Sequence, residues 1–135
     1  MDLPAWVRCR AGTRGLLLVA PHGGLRREDL LVPPPRPTRT NDLFTAPLAA
    51  ELAERLDAGL IANLELDRNE LDLNRISEVE GRAGWFLELM SAELERLLAR
   101  HDAVEVVFVH GWHIVQPKCD IGVGARLGIR SARPA

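Results

Sequence analysis

The most informative stretch of the sequence is Gly15–Ala20 (Gly-Leu-Leu-Leu-Val-Ala), which runs directly into Pro21-His22-Gly23-Gly24. A short apolar run bounded by glycine and proline is typical of a strand that is buried on both faces. The proline and glycines that follow it predict a tight turn. We therefore expect a central strand whose carboxyl end presents His22.

Helices and strands alternate after this first strand. Apolar runs at residues 60–64 and 104–109 predict two more strands, and helical periodicity predicts helices roughly from 45 to 58 and from 81 to 101. Alternation of this kind indicates a parallel sheet with right-handed crossovers. The expected fold class is therefore α/β.

The two predicted helices carry apolar stripes. In the first helix, Thr45 is the expected cap and Gly59 the expected end. Leu48, Leu52 and Leu56 recur every four residues, with Ala49 and Ala53 beside them. The second helix has its expected buried stripe at Phe86, Met90, Leu94, Leu97 and Leu98. Each helix is therefore expected to bury its apolar stripe.

Length and composition indicate one domain. The chain has 135 residues, of which 47% are hydrophobic, and it contains no tyrosine, so a single and mostly aliphatic core is expected. Residues 25–41 form a loop rich in proline and arginine, and a loop of that length usually carries function or is mobile. Residues 114–135 predict an irregular tail.

Several classes of protein are disfavoured. The net charge is -2, and the basic residues in excess lie in the proline-rich loop and the last 18 residues without interleaved aromatics, so no nucleic-acid partner is expected. No apolar run approaches the roughly 20 residues of a membrane span, and the start at Met1 shows no secretory signal. With only Cys9 and Cys119, a reduced cytoplasmic protein is the default expectation.

Polar residues follow each predicted strand, where ligands bind in parallel α/β folds. His22 follows the first strand, Asn74-Arg75 lies beyond the second, and His110 follows the third. Two neutral imidazoles and one carboxylate are a common catalytic zinc set that leaves a position open for water. The carboxylate candidates are Glu28 and Asp42.

Each of these candidate ligands also has an ordinary structural interpretation. His22 would suit a turn whatever its chemistry, and His110 would suit the end of a buried strand. Glu28 could be a solvated neighbour of the loop arginines, and Asp42 could simply precede the first helix. Both interpretations remain open at the level of sequence.

Two further residues are candidates for the site, and one of them, Arg75, points to an anionic ligand. Arginine binds carboxylates through two parallel hydrogen bonds, so Arg75 at a strand end suits an acidic substrate. Its alternative is a surface salt bridge with one of the acids nearby in sequence, namely Asp72, Glu78 or Glu80. Asp120 stands between Cys119 and Gly122, and its alternative is a turn aspartate.

Four short motifs resemble those of one enzyme family. They are Ala20–Gly24, similar to its "PHSG/PHGG" start, Asn41–Thr45, similar to "D-x-x-T", Leu71–Arg75, similar to "D-x-N-R", and His110-Gly111 with Asp120–Gly122, similar to "HG…D-x-x-G". Their order, over roughly residues 15–124, resembles that of the N-formylglutamate amidohydrolase family.

The resemblance implies a three-layer α/β/α fold with a mostly parallel sheet, phosphorylase/hydrolase-like and shared with zinc carboxypeptidases. It implies hydrolysis of an N-acylated acidic amino acid, such as N-formyl-L-glutamate to formate and glutamate. His22 and His110 would bind one Zn²⁺, with Glu28 or Asp42 as the third ligand. Asn74 and Arg75 would hold the substrate carboxylate.

The sequence departs from this pattern in two places. Carboxypeptidases place a ligand glutamate three residues after the first histidine, where this chain has Leu25. Family members are also longer, so the resemblance implies a partial domain. The similarity to carboxypeptidases also implies a carboxylate base late in the domain. No glutamate follows Glu105, which leaves Asp120, an earlier acid, or no base at all.

Three hypotheses follow. The first is the metal-dependent amidohydrolase, and the second is a catalytically incomplete relative that binds an acidic ligand without turnover. The third is a small α/β interaction module in which the histidines are structural. A shortened sheet would expose an edge or face that a homodimer could cover.

Overall fold

The computed structural model describes residues 2–24 and 41–111, which form four strands and three helices. The strands are β1 (Val7–Arg10), β2 (Leu16–Ala20), β3 (Gly59–Asn63) and β4 (Glu105–Phe108). The helices are α1 (Thr45–Leu56), α2 (Ile76–Arg82) and α3 (Gly84–Leu98). Most of the proline-rich loop and the tail lie outside the described ranges. Within those ranges, no helix has the length and apolar character needed to cross a bilayer.

The sheet has the order β1-β3-β2-β4 and is mostly parallel. β2 pairs in parallel with β3 on one side, where Leu18 is opposite Leu60, and with β4 on the other, where Leu18 is opposite Val107. β1 pairs antiparallel with β3 at the edge. The expected α/β class with a mostly parallel sheet is confirmed. The carboxyl ends of β2, β3 and β4 lie together at one end of the sheet.

The two central strands are buried on both faces, as their continuous apolar composition predicts. Leu17, Val19 and Ile61 pack in one cluster with side chains of α2 and α3, including Val79, Phe86 and Leu97. Leu18, Ala20, Leu60 and Ala62 pack in a second cluster with the alanines of α1. Because successive residues of a strand point to opposite faces, the two clusters lie on opposite faces of the sheet.

Two elements are absent from the sequence expectation. β1 carries the sequence Val-Arg-Cys-Arg, in which charged side chains interrupt the apolar pattern, and it is held by backbone pairing with β3 at the sheet edge. The helix expected from 81 to 101 is α3, and the short helix α2 before it was not expected; Ala83, with φ −141°, separates the two.

The ends of α1 also differ from expectation. Thr45 is the first residue of the helix and makes no capping bond, while Phe44 occupies the cap position. The helix ends at Asp57, in the left-handed conformation with φ 50°, and Gly59 begins β3. An aspartate tolerates this conformation here because Arg10 and Thr13 hold its carboxylate and the backbone N–H of Thr13 donates to its carbonyl.

The helices α1 and α3 bury only part of the apolar stripes that the sequence predicts. Ala49 and Ala53 of α1 are fully buried, whereas Leu48 is 52% exposed. In α3, Phe86 and Leu97 are buried as expected, but Leu98 is 51% exposed. Small side chains let α1 approach the sheet closely, so the alanines form the centre of its contact face, and Leu52 packs beside them.

Candidate metal centre

His22 lies just past the carboxyl end of β2 and is 1% exposed. A side-chain hydrogen bond stabilises the turn that contains His22: Asn63 Nδ2 donates to the Pro21 carbonyl at 3.0 Å. The backbone N–H of Asp42 donates to the His22 carbonyl at 2.8 Å. Strand, turn and the returning chain therefore fix the backbone of His22 from both sides.

Asp42 stands where the chain enters α1. The backbone N–H and the hydroxyl of Thr45 both donate to the Asp42 carbonyl, at 3.3 and 2.8 Å. The preceding Asn41 donates through Nδ2 to the Gly24 carbonyl at 2.5 Å. These local bonds place the Asp42 carboxylate beside His22, although 19 residues separate them in the chain.

His110 reaches the same place from β4. The backbone N–H of Val109 donates to the Val19 carbonyl at 2.8 Å, which continues the pairing of β4 with β2 one step past the strand. The His110 and His22 rings lie with their centroids 5.2 Å apart. The His110 side chain is 35% exposed, so the group formed by His22, Asp42 and His110 is open to solvent on the side of His110.

The three side chains form a group that can hold a metal ion. Asp42 Oδ2 lies 3.3 Å from His22 Nδ1 and 3.0 Å from His110 Nδ1, and all three donor atoms lie within 4.8 Å of one another. Tetrahedral ligands at zinc-like bond lengths are about 3.3 Å apart. Small movements of the rings would therefore accommodate an ion between these atoms.

The hydrogen bonding of His22 also favours a cation at this position. Its Nε2 lies 2.6 Å from Asp72 Oδ1 and its Nδ1 faces Asp42, so both ring nitrogens face carboxylates. A neutral imidazole has only one ring N–H and can donate to only one of them. A neutral ring that donates from Nε2 to Asp72 turns the lone pair of Nδ1 toward Asp42, and a cation between these two atoms would stabilise that arrangement. Metal-bound histidines commonly donate their other N–H to a carboxylate in this manner.

Both aspartates are held in the charged form. Burial alone raises the pKa of the Asp42 carboxyl, but hydrogen bonds from His110, His22 and the Gly111 backbone outweigh it and hold that pKa well below its usual range. Burial likewise opposes ionisation of Asp72, and bonds from His22 and the Asn74 backbone lower its pKa nevertheless. Anionic oxygens are what a metal requires of these groups.

The structure brings together His22, Asp42 and His110 but places the substrate-binding candidates differently. Arg75 is half-exposed and its Nε lies 3.6 Å from Glu78 Oε1, one of the salt-bridge partners expected from the sequence. Asn74 is exposed, and its backbone N–H donates to Asp72 Oδ1 at 3.0 Å. Glu28 and Asp120 lie outside the described residues.

Sequence reasoning did not assign a role at the centre to Asp72 or to Arg68. Asp72 is 3% exposed between two buried leucines, and it binds His22 directly. The only signal in the sequence is that Asp72 stands between two leucines, Leu71 and Leu73, and an alternation of this kind does not by itself predict a buried acid. Arg68 lies four residues before Asp72, and nothing in the neighbouring sequence distinguishes it from a surface arginine.

We expect the Gly23→Ala variant to lose both stability and metal affinity. A Cβ on Gly23 would collide with the Ala46 methyl group and would lie 2.8 Å from the Ala46 nitrogen and 2.9 Å from the Asn63 carbonyl oxygen. Relief requires α1 to move away from the turn, and overpacking of this kind costs about 1–3 kcal/mol. Urea denaturation of the metal-free variant measures this loss.

The matched control is Gly81→Ala in α2, where an added Cβ meets nothing within 4 Å. It should be neutral or stabilising by up to about 1 kcal/mol, because alanine is the better helix former. Equal effects of the two substitutions would show that Gly23 is not a close-packing position.

Comparisons with known proteins identify no relative: no protein-family model matches the chain, and neither curated proteins nor solved structures give a significant match.

Proposed function

We propose that the chain is a zinc-dependent amidohydrolase that acts on an N-acylated acidic amino acid of the N-formyl-L-glutamate type. The observation that carries the proposal is the meeting of two imidazoles and one carboxylate at the carboxyl ends of parallel strands. The motif resemblance supports the substrate class. Core clusters on opposite faces of the sheet support the finer expectation of a three-layer, carboxypeptidase-like architecture.

His22, Asp42 and His110 would be the protein ligands of the zinc, which supplies Lewis-acid polarisation of the amide carbonyl and a water of lowered pKa. The chain's own groups would do the rest. Asp72 would accept a hydrogen bond from the Nε2–H of His22, which leaves the lone pair of Nδ1 to face the metal position. Asp42 supplies the negative charge that partly offsets the cation.

Arg75 would bind the substrate carboxylate, with Asn74 beside it. The guanidinium is half-exposed and its contact with Glu78, at 3.6 Å, is a loose one. A substrate carboxylate could replace that contact with two parallel hydrogen bonds. Asp120 remains our candidate for the general base.

A second candidate function is binding of an acidic ligand without turnover. Among residues 2–24 and 41–111, the carboxylates that contact the two histidines are Asp42 and Asp72, and each is engaged by an imidazole. A general base must accept a proton from water or substrate. A carboxylate already occupied as a ligand or as a histidine partner is poorly suited to that step.

Formate release from N-formyl-L-glutamate separates the two candidates. We expect turnover by the zinc-loaded protein, its loss on chelation, and its loss in His110→Ala. Arg75→Ala should raise KM more than it lowers kcat. Calorimetric binding of N-formyl-L-glutamate without formate release would favour the binding function. If the protein neither bound nor hydrolysed N-formyl-L-glutamate, the proposed substrate class would be refuted.

A further inference from the structure

Arg68 contacts both aspartates that lie beside His22, namely Asp42 and Asp72. It lies in the loop between β3 and α2, and its side chain is 24% exposed. One terminal nitrogen, NH1, lies 3.7 Å from Asp42 Oδ1, and the other, NH2, lies 3.4 Å from Asp72 Oδ2. One guanidinium therefore spans two acidic residues that are 30 positions apart in the chain.

Each of the four carboxylate oxygens of Asp42 and Asp72 faces a histidine or Arg68. Asp42 Oδ2 faces the two histidine Nδ1 atoms, while Asp42 Oδ1 faces Arg68. Asp72 Oδ1 faces His22 Nε2, while Asp72 Oδ2 faces Arg68. Each aspartate thus has one oxygen directed at an imidazole and the other directed at the same guanidinium.

We propose that Arg68 is a positioning residue for the metal centre: it holds the two aspartates that flank His22, so that Asp42 presents one oxygen to the metal and Asp72 fixes the proton of His22 on Nε2. This inference rests on the metal site of the proposed function. It adds to that site a residue that touches no ligand atom of the metal and acts through the two carboxylates.

The charge and shape of the guanidinium both matter to this role. Asp42 and Asp72 are negative charges on either side of one buried ring, and their mutual repulsion favours their separation. A guanidinium offsets that repulsion and directs donors at two acceptors from a rigid plane, whereas a lysine ammonium is a single point on a flexible stem. Lysine would therefore restore the charge but hold only one carboxylate firmly.

The test compares Arg68→Gln and Arg68→Lys with the wild-type full chain. Zinc affinity is measured by competition with a chromophoric chelator, and removal of a residue that orients a ligand typically weakens affinity by about 10- to 100-fold. We expect a loss in that range for Arg68→Gln and a smaller loss for Arg68→Lys. Arg55→Gln is the control, because Arg55 is exposed on α1 and pairs only with nearby Glu51 among the contacts described.

The second readout uses metal-free protein and does not depend on zinc. Long-range ¹H–¹⁵N spectra in mildly alkaline buffer report which nitrogen of His22 carries the proton. We expect the Nε2–H tautomer in the wild type and a mixture in Arg68→Gln. Circular dichroism of each variant verifies the fold, and if Arg68→Gln does not fold, Arg68→Lys decides through the same two readouts.

The outcomes separate this inference from the proposed function. Zinc affinity within threefold of wild type together with an unchanged tautomer would overturn the role of Arg68, as would full affinity in Arg68→Lys. Wild-type protein that binds no zinc would refute the proposed function, and the tautomer would still decide whether Arg68 positions His22. Zinc binding without formate release would leave the role of Arg68 intact.

Discussion

Replacing Asp42 with asparagine is expected to weaken zinc binding by at least about 100-fold. Structural zinc sites bind with about 10–16 kcal/mol over four ligands, so one ligand accounts for about 3 kcal/mol, or roughly two orders of magnitude in affinity. Among the three candidate ligands in residues 2–24 and 41–111, Asp42 is the only carboxylate, and its Oδ2 faces both histidines. The neutral amide of asparagine keeps the size of the side chain but removes the anion.

Isothermal titration of metal-free protein with zinc, under chelator competition, measures this effect. The matched control is Asp102→Asn, because Asp102 is exposed and lies before β4, at the opposite edge of the sheet from the cluster. The control should bind zinc as the wild type does. If Asp42→Asn bound zinc within threefold of the wild type, Asp42 would not be a ligand, and Glu28 would become the leading carboxylate.

Truncation of Leu17 to alanine is expected to cost about 2–5 kcal/mol of unfolding free energy, the range for a large-to-small change in a packed core. Leu17 is fully buried in β2, paired in register with Gly59 of β3 and Val106 of β4. Its side chain packs in the cluster formed with α2 and α3. The central position leaves no neighbouring strand free to close the cavity.

Urea denaturation of metal-free protein measures the loss as a shift in midpoint at constant slope. The control is Leu98→Ala on α3, whose side chain is 51% exposed and should change stability by less than about 0.5 kcal/mol. A small effect at Leu17 would contradict the placement of β2 at the centre of the sheet. Zinc affinity should be unchanged in folded Leu17→Ala protein, because the candidate metal centre lies beyond the carboxyl end of β2.

The central strands could be predicted because their burial on two faces leaves a continuous apolar run in the sequence. β2 and β3 therefore match their predictions to within one residue at each end. β1 carries no such run, since Arg8 and Cys9 are exposed at an edge, and only pairing with β3 makes it a strand. Information of that kind lies in a distant segment and not in the strand itself.

The contact faces of the helices show a second limit of pattern reading. The leucine repeat with Ala49 and Ala53 beside it predicts the side of α1 that faces the core. Of that stripe only the two alanines are fully buried, together with Thr45 and Ala46. Hydrophobicity alone ranks leucine above alanine. The distance at which a helix packs on a sheet reverses that preference, and no short window of sequence contains that distance.

The candidate ligands were predicted because topology alone brings the ends of parallel strands together. Among them, Asp42 could not be preferred over Glu28 from the sequence, and in the structure the bond from its backbone to the His22 carbonyl places it. The roles of Asp72 and Arg68 were missed for another reason. Which oxygen of a carboxylate faces which partner depends on three-dimensional packing, and sequence spacing does not encode it.

X-ray absorption spectroscopy of protein loaded with one equivalent of zinc tests the central claim most directly. The account predicts a first shell of nitrogen and oxygen donors only, at about 2.0–2.1 Å, with the multiple-scattering signature of two imidazoles. The same spectrum for His110→Ala should show the contribution of one imidazole fewer. A shell that contains sulfur, one that lacks histidine, or one that is unchanged in His110→Ala would contradict a metal centre built from His22, Asp42 and His110.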